Sequence, residues 1–188
     1  MKNILMVMLF FFSLAGCTEE KYADKRPAEQ SRFVGLIREW RDTINAAQKN
    51  PGLRMQLLEK GVFSAKTHIQ DSLQLQFSLW EARVLNLAPD PTASEYIIAS
   101  FGMNLDGGKM TEEFRFKSLV FTSRTFQSDP AYAILKTLKA GDIIRISGNF
   151  KTVQKTINID SFNDLTQSKN VLDNPEFKVE ITTLEKLE

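Results

Sequence analysis

The stretch Ser72–Val84, SLQLQFSLWEARV, changes the face that its apolar side chains occupy halfway along. Up to Leu79 the apolar residues stand at odd positions, and from Trp80 onward they stand at even positions. Alternation of this kind predicts a β-strand with one buried face. A shift of phase by one residue inside a strand is typical of a β-bulge, which reverses the buried face and bends the strand. The stretch therefore predicts a long, bent first strand of the kind that a small closed sheet needs.

Further strands and one helix follow toward the end of the chain. Alternating or apolar runs predict strands over residues 95–103, 114–121, 141–150, 157–162 and 177–181. Asp129 and Pro130 provide the N-cap and first-turn signals of a helix that ends at Ala140–Gly141. Three strands, a helix and further strands predict an α+β, mainly β fold over residues 72–188, with a five- to six-stranded Greek-key barrel.

The segment Leu138–Phe150, LKAGDIIRISGNF, resembles the fourth-strand signature of OB-folds, in which a Gly-Asp turn leads into alternating aliphatic residues. The chain is most similar to the small bacterial envelope proteins of the tRNA anticodon-binding-like OB group. This resemblance covers roughly residues 72–166 and implies an OB-like barrel, but it implies little about activity. A split barrel of another topology is the alternative.

Residues 28–71 predict a helical hairpin in front of the barrel. Apolar residues recur every three or four positions in its first half, which places them on one helix face: Phe33, Leu36, Ile37, Trp40, Ile44 and Ala47. Asn50 and Pro51 predict the start of a second helix, and Gly61 predicts its end. The apolar stripe favours packing of the hairpin onto the barrel, and a partner-binding groove or a spacer is the alternative.

The first 16 residues have the layout of a secretory signal peptide. Lys2 precedes an apolar run, Ile4–Phe12, which is shorter than the roughly 20 residues of a membrane-spanning helix. The run is followed by LAGC, which closely resembles the lipobox of bacterial lipoproteins. The resemblance implies cleavage between Gly16 and Cys17 and diacylation of Cys17, so that residues 17–27 become a lipidated tether. An N-terminal anchor helix with an incidental cysteine is the alternative.

The resemblance to the lipobox implies a location in the cell envelope, and it also excludes chemistry that needs a free thiol. A lipid anchor implies that the protein lies in the bacterial cell envelope with the membrane as a partner. Thr18 rather than Asp follows the cysteine, which resembles the pattern of lipoproteins passed on to the outer membrane. Cys17 is the only cysteine in the chain, so its lipidation leaves no thiol for disulfides, redox chemistry or nucleophilic catalysis.

The balance of charges argues against partners that are selected by long-range electrostatics. Lys and Arg total 24 against 23 Asp and Glu, and removal of Lys2 with the signal peptide leaves 23 of each. A balanced chain has no net field that attracts it to nucleic acid or to an anionic membrane, although it is compatible with a local basic patch.

Residues that could carry out catalysis or bind a metal ion are sparse. His68, the single histidine, is expected to be an ordinary residue of the linker between hairpin and barrel. One histidine and a lipidated cysteine fall short of a zinc site, and Asp160, Asp164 and Asp173 lack EF-hand spacing. The sequence contains neither a GxSxG elbow nor a phosphate-binding glycine loop. We therefore expect no catalytic site, metal site or cofactor, and a hydrolase with an unrecognised site is the least favoured alternative.

Basic and aromatic residues interleave in FRFK, residues 114–117. Alternation places the two phenylalanines on one face of the strand and Arg115 and Lys117 on the other, whereas a base-stacking platform needs both on one exposed face. Nucleic acid is therefore not a favoured ligand. Arg115, Lys117 and Arg145 project opposite the apolar stripes and are weak candidates for a binding face.

These patterns favour a lipid-anchored envelope module that binds or assembles with another envelope protein and catalyses no reaction. The alternative is an OB-type binder of single-stranded nucleic acid or of an oligosaccharide.

Overall fold

The computed structural model describes residues 26–106, 118–161 and 170–187. The predicted signal peptide, Cys17 and most of the predicted tether lie outside these residues, as do Arg115 and Lys117. Within them the chain has a mixed, mainly β fold, in which a pair of helices precedes a barrel-like sheet. At this level the predicted fold class is confirmed.

Two helices form the N-terminal pair, and both begin where the sequence predicts. α1 spans Ala28–Ala46 and α2 spans Pro51–Thr67. The Asn50 side chain accepts a hydrogen bond from the Leu53 amide at 3.1 Å, which satisfies one of the N–H groups left free in a first helical turn. A π-helical turn, His68–Ser72, extends α2 toward the sheet.

Gly61 does not end the second helix, so the predicted C-cap is wrong. α2 continues from it to Thr67. A β-carbon at Gly61 would lie 3.2 Å from the Cβ of Trp40 and 3.0 Å from the Cδ1 of Leu172. The glycine therefore allows α2 to lie close to α1 and to the segment that contains Leu172.

Over the described residues the β structure consists of five long strands and three short ones. They are β1 Gln76–Asp90, β2 Ala93–Asn104, β3 Ser118–Phe126, β4 Ile143–Phe150, β5 Thr152–Val153, β6 Thr156–Ile157, β7 Asp160–Ser161 and β8 Pro175–Lys186. The long strands pair in the order β3–β2–β1–β4–β8, and a parallel pairing between β3 and β8 joins the two ends of this order. The remaining pairings of the long strands are antiparallel, and the short β7 lies beside β8.

β1 contains the predicted bulge. Phe77 pairs with Gly148 and Trp80 pairs with Ile146, so β1 uses one residue more than β4 over this interval. Leu79, inside the interval, has a φ of 54° and is 54% exposed. The bend allows β1 to continue from its pairing with β4 into a pairing with β2 that starts at Arg83.

The strand begins at Gln76, which corrects the predicted start at Ser72. The amide of Leu73 donates to the carbonyl of His68 at 3.0 Å, and the amide of Leu75 donates to the carbonyl of Ile69 at 2.9 Å. These bonds continue the helical end of α2 instead of a sheet. The alternating leucines of this segment therefore belong to a turn between the helices and β1.

β3 also differs from its predicted bounds, because it extends to Phe126 instead of ending at Phe121. Ser123 and Thr125 are buried in the added part, and their hydroxyl oxygens lie 2.9 Å apart in a hydrogen bond. The predicted start at residue 114 lies outside the described residues.

The predicted helix after β3 is shorter than expected. α3 spans Pro130–Leu135, and Gly141, with a φ of 99°, lies in a later turn rather than at the helix end. The carboxylate of Asp129 accepts from the Phe126 amide at 2.9 Å and makes no bond into the helix. Among the described residues, the predicted strand over 157–162 is reduced to the last residue of β6 and to the two residues of β7. The strand predicted around residues 177–181 is confirmed as part of β8.

Phe33 of α1 connects the helical pair to the sheet. The side chain is fully buried, and its ring centroid lies 5.5 Å from Trp80, 6.0 Å from Phe150 and 5.7 Å from Phe177. These three partners belong to β1, β4 and β8. The apolar stripe of α1 therefore packs onto the sheet, which is the arrangement that its periodicity favours.

Gln30 of α1 replaces a missing strand partner of β1. Its side-chain Nε2 donates to the carbonyl of Glu81 at 2.6 Å, and its Oε1 accepts from the Glu81 amide at 2.9 Å. Pairing between β1 and β2 starts only at Arg83, so the side-chain amide satisfies backbone groups of β1 that lie before that pairing. A buried backbone group without such a partner is costly, which explains a fully buried glutamine at this position.

Replacement of Gln30 by methionine should lower the free energy of unfolding by about 2–3 kcal/mol, because it removes two buried hydrogen bonds to the backbone of Glu81. Urea unfolding followed by tryptophan fluorescence measures this difference. The matched control is Gln48→Met at an exposed position after α1, which should change stability little. Equal stability of the two variants would contradict the role assigned to Gln30.

Candidate functional site

An open cleft of 540 Å³, which we call the bulge cleft, lies where β1 bends. Parts of the chain that are far apart in sequence form it: the start of α1, the turn into β1, the end of β4 and the middle of β8. The lining residues are Glu29, Ser72, Leu73, Gln74, Gln76, Phe77, Ser78, Ser147, Gly148, Asn149 and Thr182. The same bend that the sequence predicts as a bulge therefore shapes a concave surface.

Hydroxyl and primary amide groups dominate the lining of the bulge cleft. Hydroxyl groups come from three serines and Thr182, and side-chain amides come from Gln74, Gln76 and Asn149. Among the described residues that line it, Glu29 alone carries a charge. Hydroxyl and amide groups both donate and accept hydrogen bonds. The lining therefore suits a ligand with many uncharged polar groups better than a phosphate chain, which binds to Lys and Arg.

Three residues in or beside the bulge cleft adopt a left-handed backbone conformation without being glycine. The φ angles are 51° for Gln74, 63° for Leu75 and 54° for Leu79. Such residues cost about 1–2 kcal/mol each, and conformations of this kind concentrate at functional sites. The Leu75 carbonyl accepts from the Phe150 amide at 2.7 Å, and the Leu79 amide donates to the Ser147 hydroxyl at 3.0 Å. These bonds to β4 hold the rim of the cleft in place.

Gly148 keeps the strands beside the cleft close together. It lies in β4, in agreement with the strand context predicted for Ser147–Gly148. A β-carbon at this position would overlap the carbonyl oxygen of Glu180 in β8 and lie 2.9 Å from the Cζ of Phe77. The register between β4 and β8 also shifts between Ser147 and Gly148. The glycine is therefore required by the close approach of backbone to backbone.

Arg145, one of the three basic residues predicted as a binding face, is not among the described residues that line the cleft. Arg145 lies with its Nη2 3.4 Å from the Oε1 of Glu81, whose side chain is 5% exposed. Its guanidinium therefore serves as the partner of a buried carboxylate. Arg115, Lys117 and the predicted cleavage site at Gly16–Cys17 lie outside the described residues.

The residues of the bulge cleft escape prediction because none of them belongs to a catalytic or ligand-binding motif. The change of phase in Ser72–Val84 was the one available signal, because it locates the bend of β1. It carries no information about which parts of α1, β4 and β8 come to lie beside that bend.

His68 is part of the π-helical turn rather than of a linker, which corrects the sequence expectation. Its ring stacks on Phe33 with a centroid distance of 5.8 Å and an interplanar angle of 14°. Its Nε2 is buried and has no hydrogen-bond partner among the described residues. Burial lowers the pKa of His68 below 6.5; the positive charge of Arg32 lowers it further, and the negative charge of Glu29 acts in the opposite direction.

The lowered pKa of His68 predicts a pH-dependent stability. Between its folded-state pKa and 6.5 the unfolded chain binds more protons at this residue, so stability falls as the pH decreases through this range. His68→Phe keeps a ring on Phe33 and removes the titration. Unfolding measured at a series of pH values should show a smaller loss of stability below pH 6.5 in this variant than in the wild type. The same loss in both proteins would show that another group is responsible.

In the part of the chain that the structure describes, His, Cys, Asp and Glu side chains form no group of three or more that could hold a metal ion. Over the same residues every helix is too short or too polar to cross a bilayer. No protein-family model matches the chain, and no curated protein matches it significantly.

Proposed function

We propose that the protein is a lipid-anchored, non-catalytic binding module of the bacterial cell envelope, preferably at the outer membrane. We further propose that its bulge cleft holds an uncharged ligand rich in hydroxyl groups, of which an oligosaccharide is the best example. The observation that carries this proposal is the lining of the cleft, in which seven hydroxyl or amide side chains surround a single carboxylate.

We infer that the barrel-like sheet is an OB-type barrel. The order β1–β2–β3–β8–β4, with a parallel pairing of β3 and β8, supports this inference. The position of α3 between β3 and β4 also agrees with that fold. OB-folds bind oligosaccharides as well as oligonucleotides, so the fold is compatible with the proposed ligand.

The chemistry of the bulge cleft favours an oligosaccharide over single-stranded nucleic acid. Nucleic-acid grooves combine positive charge along the backbone path with exposed aromatic rings on which bases stack. In the described lining the aromatic residue is Phe77, which is buried, and the charged residue is the acidic Glu29. A sugar instead presents hydroxyl groups that side-chain amides and hydroxyls can bind in pairs.

The ligand is tested by titration of the full chain with a neutral, N-acetylated oligosaccharide. We expect saturable binding that weakens about tenfold when Gln76 and Asn149 are both replaced by alanine, because each lost hydrogen bond is worth about 0.5–1.5 kcal/mol. The matched control replaces the exposed residues Gln127 and Asn158, which do not line the cleft. Binding of a single-stranded oligonucleotide in place of the sugar, or equal weakening in the control, would refute the proposal.

The lipid anchor is tested by Cys17→Ser in the full chain expressed in bacteria. The variant should be released from the membrane fraction or mislocalised, because the residue that receives the acyl chains is missing. Retention in the membrane together with processing at the same site would show that Cys17 is not the point of attachment.

A further inference from the structure

The outer face of α2, defined by Met55 and Phe63, carries large apolar side chains that are exposed. Their exposed fractions are 58% and 72%, whereas Gly61 and Ala65 of the same helix are buried. Gly61 faces Trp40 of α1 and Leu172, so the opposite face of α2 remains exposed. Phe63 is the most exposed large apolar side chain among the described residues, so it is the side chain of α2 most available for an apolar contact.

Basic residues flank the most exposed of these side chains. Lys60 and Lys66 lie three positions before and after Phe63, so all three side chains lie on neighbouring turns of one helix face. α2 contains Arg54, Lys60 and Lys66 against Glu59, whereas the mature chain as a whole is balanced. An aromatic side chain between lysines fits the boundary of an anionic bilayer, where the ring enters the headgroup region and the ammonium groups meet phosphates.

The length of the tether allows this contact. Eight residues separate Cys17 from Arg26, and an extended chain spans at most about 3.5 Å per residue. A lipid on Cys17 therefore keeps Arg26, two residues before α1, within about 30 Å of the bilayer. The short tether gives the helical pair a high effective concentration at the bilayer surface. A contact of low intrinsic affinity is therefore enough to hold α2 against the bilayer.

We propose that the outer face of α2 rests on the surface of an anionic phospholipid bilayer. The proposal rests on the lipid anchor of the proposed function and adds a second contact to it. The ring of Phe63 enters the headgroup region, with Met55 beside it along the helix, while Lys60 and Lys66 contact lipid phosphates. Two signals of this kind, an acyl anchor and a basic apolar surface, fix the orientation of the domain as well as its location.

The lipidated full chain in vesicles of phosphatidylethanolamine and phosphatidylglycerol provides the test. Lipidation blocks the only native thiol, so a cysteine introduced at an exposed position takes up an environment-sensitive fluorophore selectively. Gln56→Cys places the label on the outer face of α2 with Phe63 intact, and Val153→Cys places it on the exposed β5 as a control. Brominated lipids should quench the label at position 56 and leave the label at position 153 largely unquenched.

Two variations identify the contacts. Phe63→Ser in the Gln56→Cys chain should abolish the selective quenching, and omission of phosphatidylglycerol should weaken it. Equal quenching at positions 56 and 153 would overturn the proposal. A fluorescence change of the label at position 56 that appears in detergent and grows with protein concentration would also overturn the proposal, because a second copy of the chain would then cover the outer face of α2. Labelling of the wild-type chain would instead show that Cys17 is not lipidated, which is a failure of the anchor and not of the α2 contact.

Discussion

Replacement of Phe33 by alanine should lower the free energy of unfolding by about 3–5 kcal/mol, the cost of deleting a large ring from a packed core. The ring touches aromatic side chains of three strands and stacks on His68, so its loss leaves a cavity that few small adjustments can fill. Because Phe33 belongs to α1, the effect also measures how strongly the helical pair stabilises the sheet. Chemical denaturation followed by the fluorescence of Trp40 and Trp80 reports the change.

Phe63→Ala is the matched control for this experiment. It deletes the same ring from an exposed site on α2, and its effect should stay within about 0.5 kcal/mol in the absence of membranes. Similar losses for the two variants, or a loss at Phe33 that leaves the unfolding of the sheet unchanged, would mean that the helices and the sheet are not one folding unit.

Replacement of Gly148 by alanine should cost at least about 3 kcal/mol, which lies at the upper end for overpacking of a core. The added methyl group meets the Glu180 carbonyl of the neighbouring strand, and a backbone oxygen cannot move aside as a side chain can. β4 and β8 therefore have to separate, and the ring of Phe77 is displaced as well, so the bulge cleft also changes. Thermal unfolding by circular dichroism measures the effect on stability.

Gly35→Ala provides the opposite expectation within the same chain. A β-carbon there has no neighbour within 4 Å, and the residue lies inside α1. Because alanine is the better helix former, this variant should be more stable by about 0.5–1 kcal/mol. A neutral result at Gly148 alongside this gain would show that β4 and β8 can part without cost.

The bend of β1 could be predicted from the sequence because a strand places alternate residues on opposite faces without exception. One apolar residue out of phase is therefore a strong signal, and the bulge lies where Leu79 and Trp80 indicate it. The start of α2 could be predicted equally well, since Asn50 and Pro51 act on backbone groups close to them in sequence.

Other features depend on contacts that the local sequence does not contain. A glycine near a helix end is typical of a C-cap, but Gly61 is explained by Trp40 and Leu172, which are distant in sequence. The end of β3 has small hydroxyl residues in the buried positions, so Ser123 and Thr125 break the apolar alternation while they satisfy each other. The bulge cleft depends on tertiary structure in the same way, because its sides come from four separate segments.

The double pairing of β8 has a consequence for the synthesis of the protein. This strand borders β4 along one part and β3 along another, and among the described residues it follows all the other strands along the chain. Until residues 175–186 have been made, two long strand edges remain open and can pair with other chains. Pairings between residues so far apart in sequence also form slowly. The unfinished chain is therefore the form most exposed to aggregation and proteolysis.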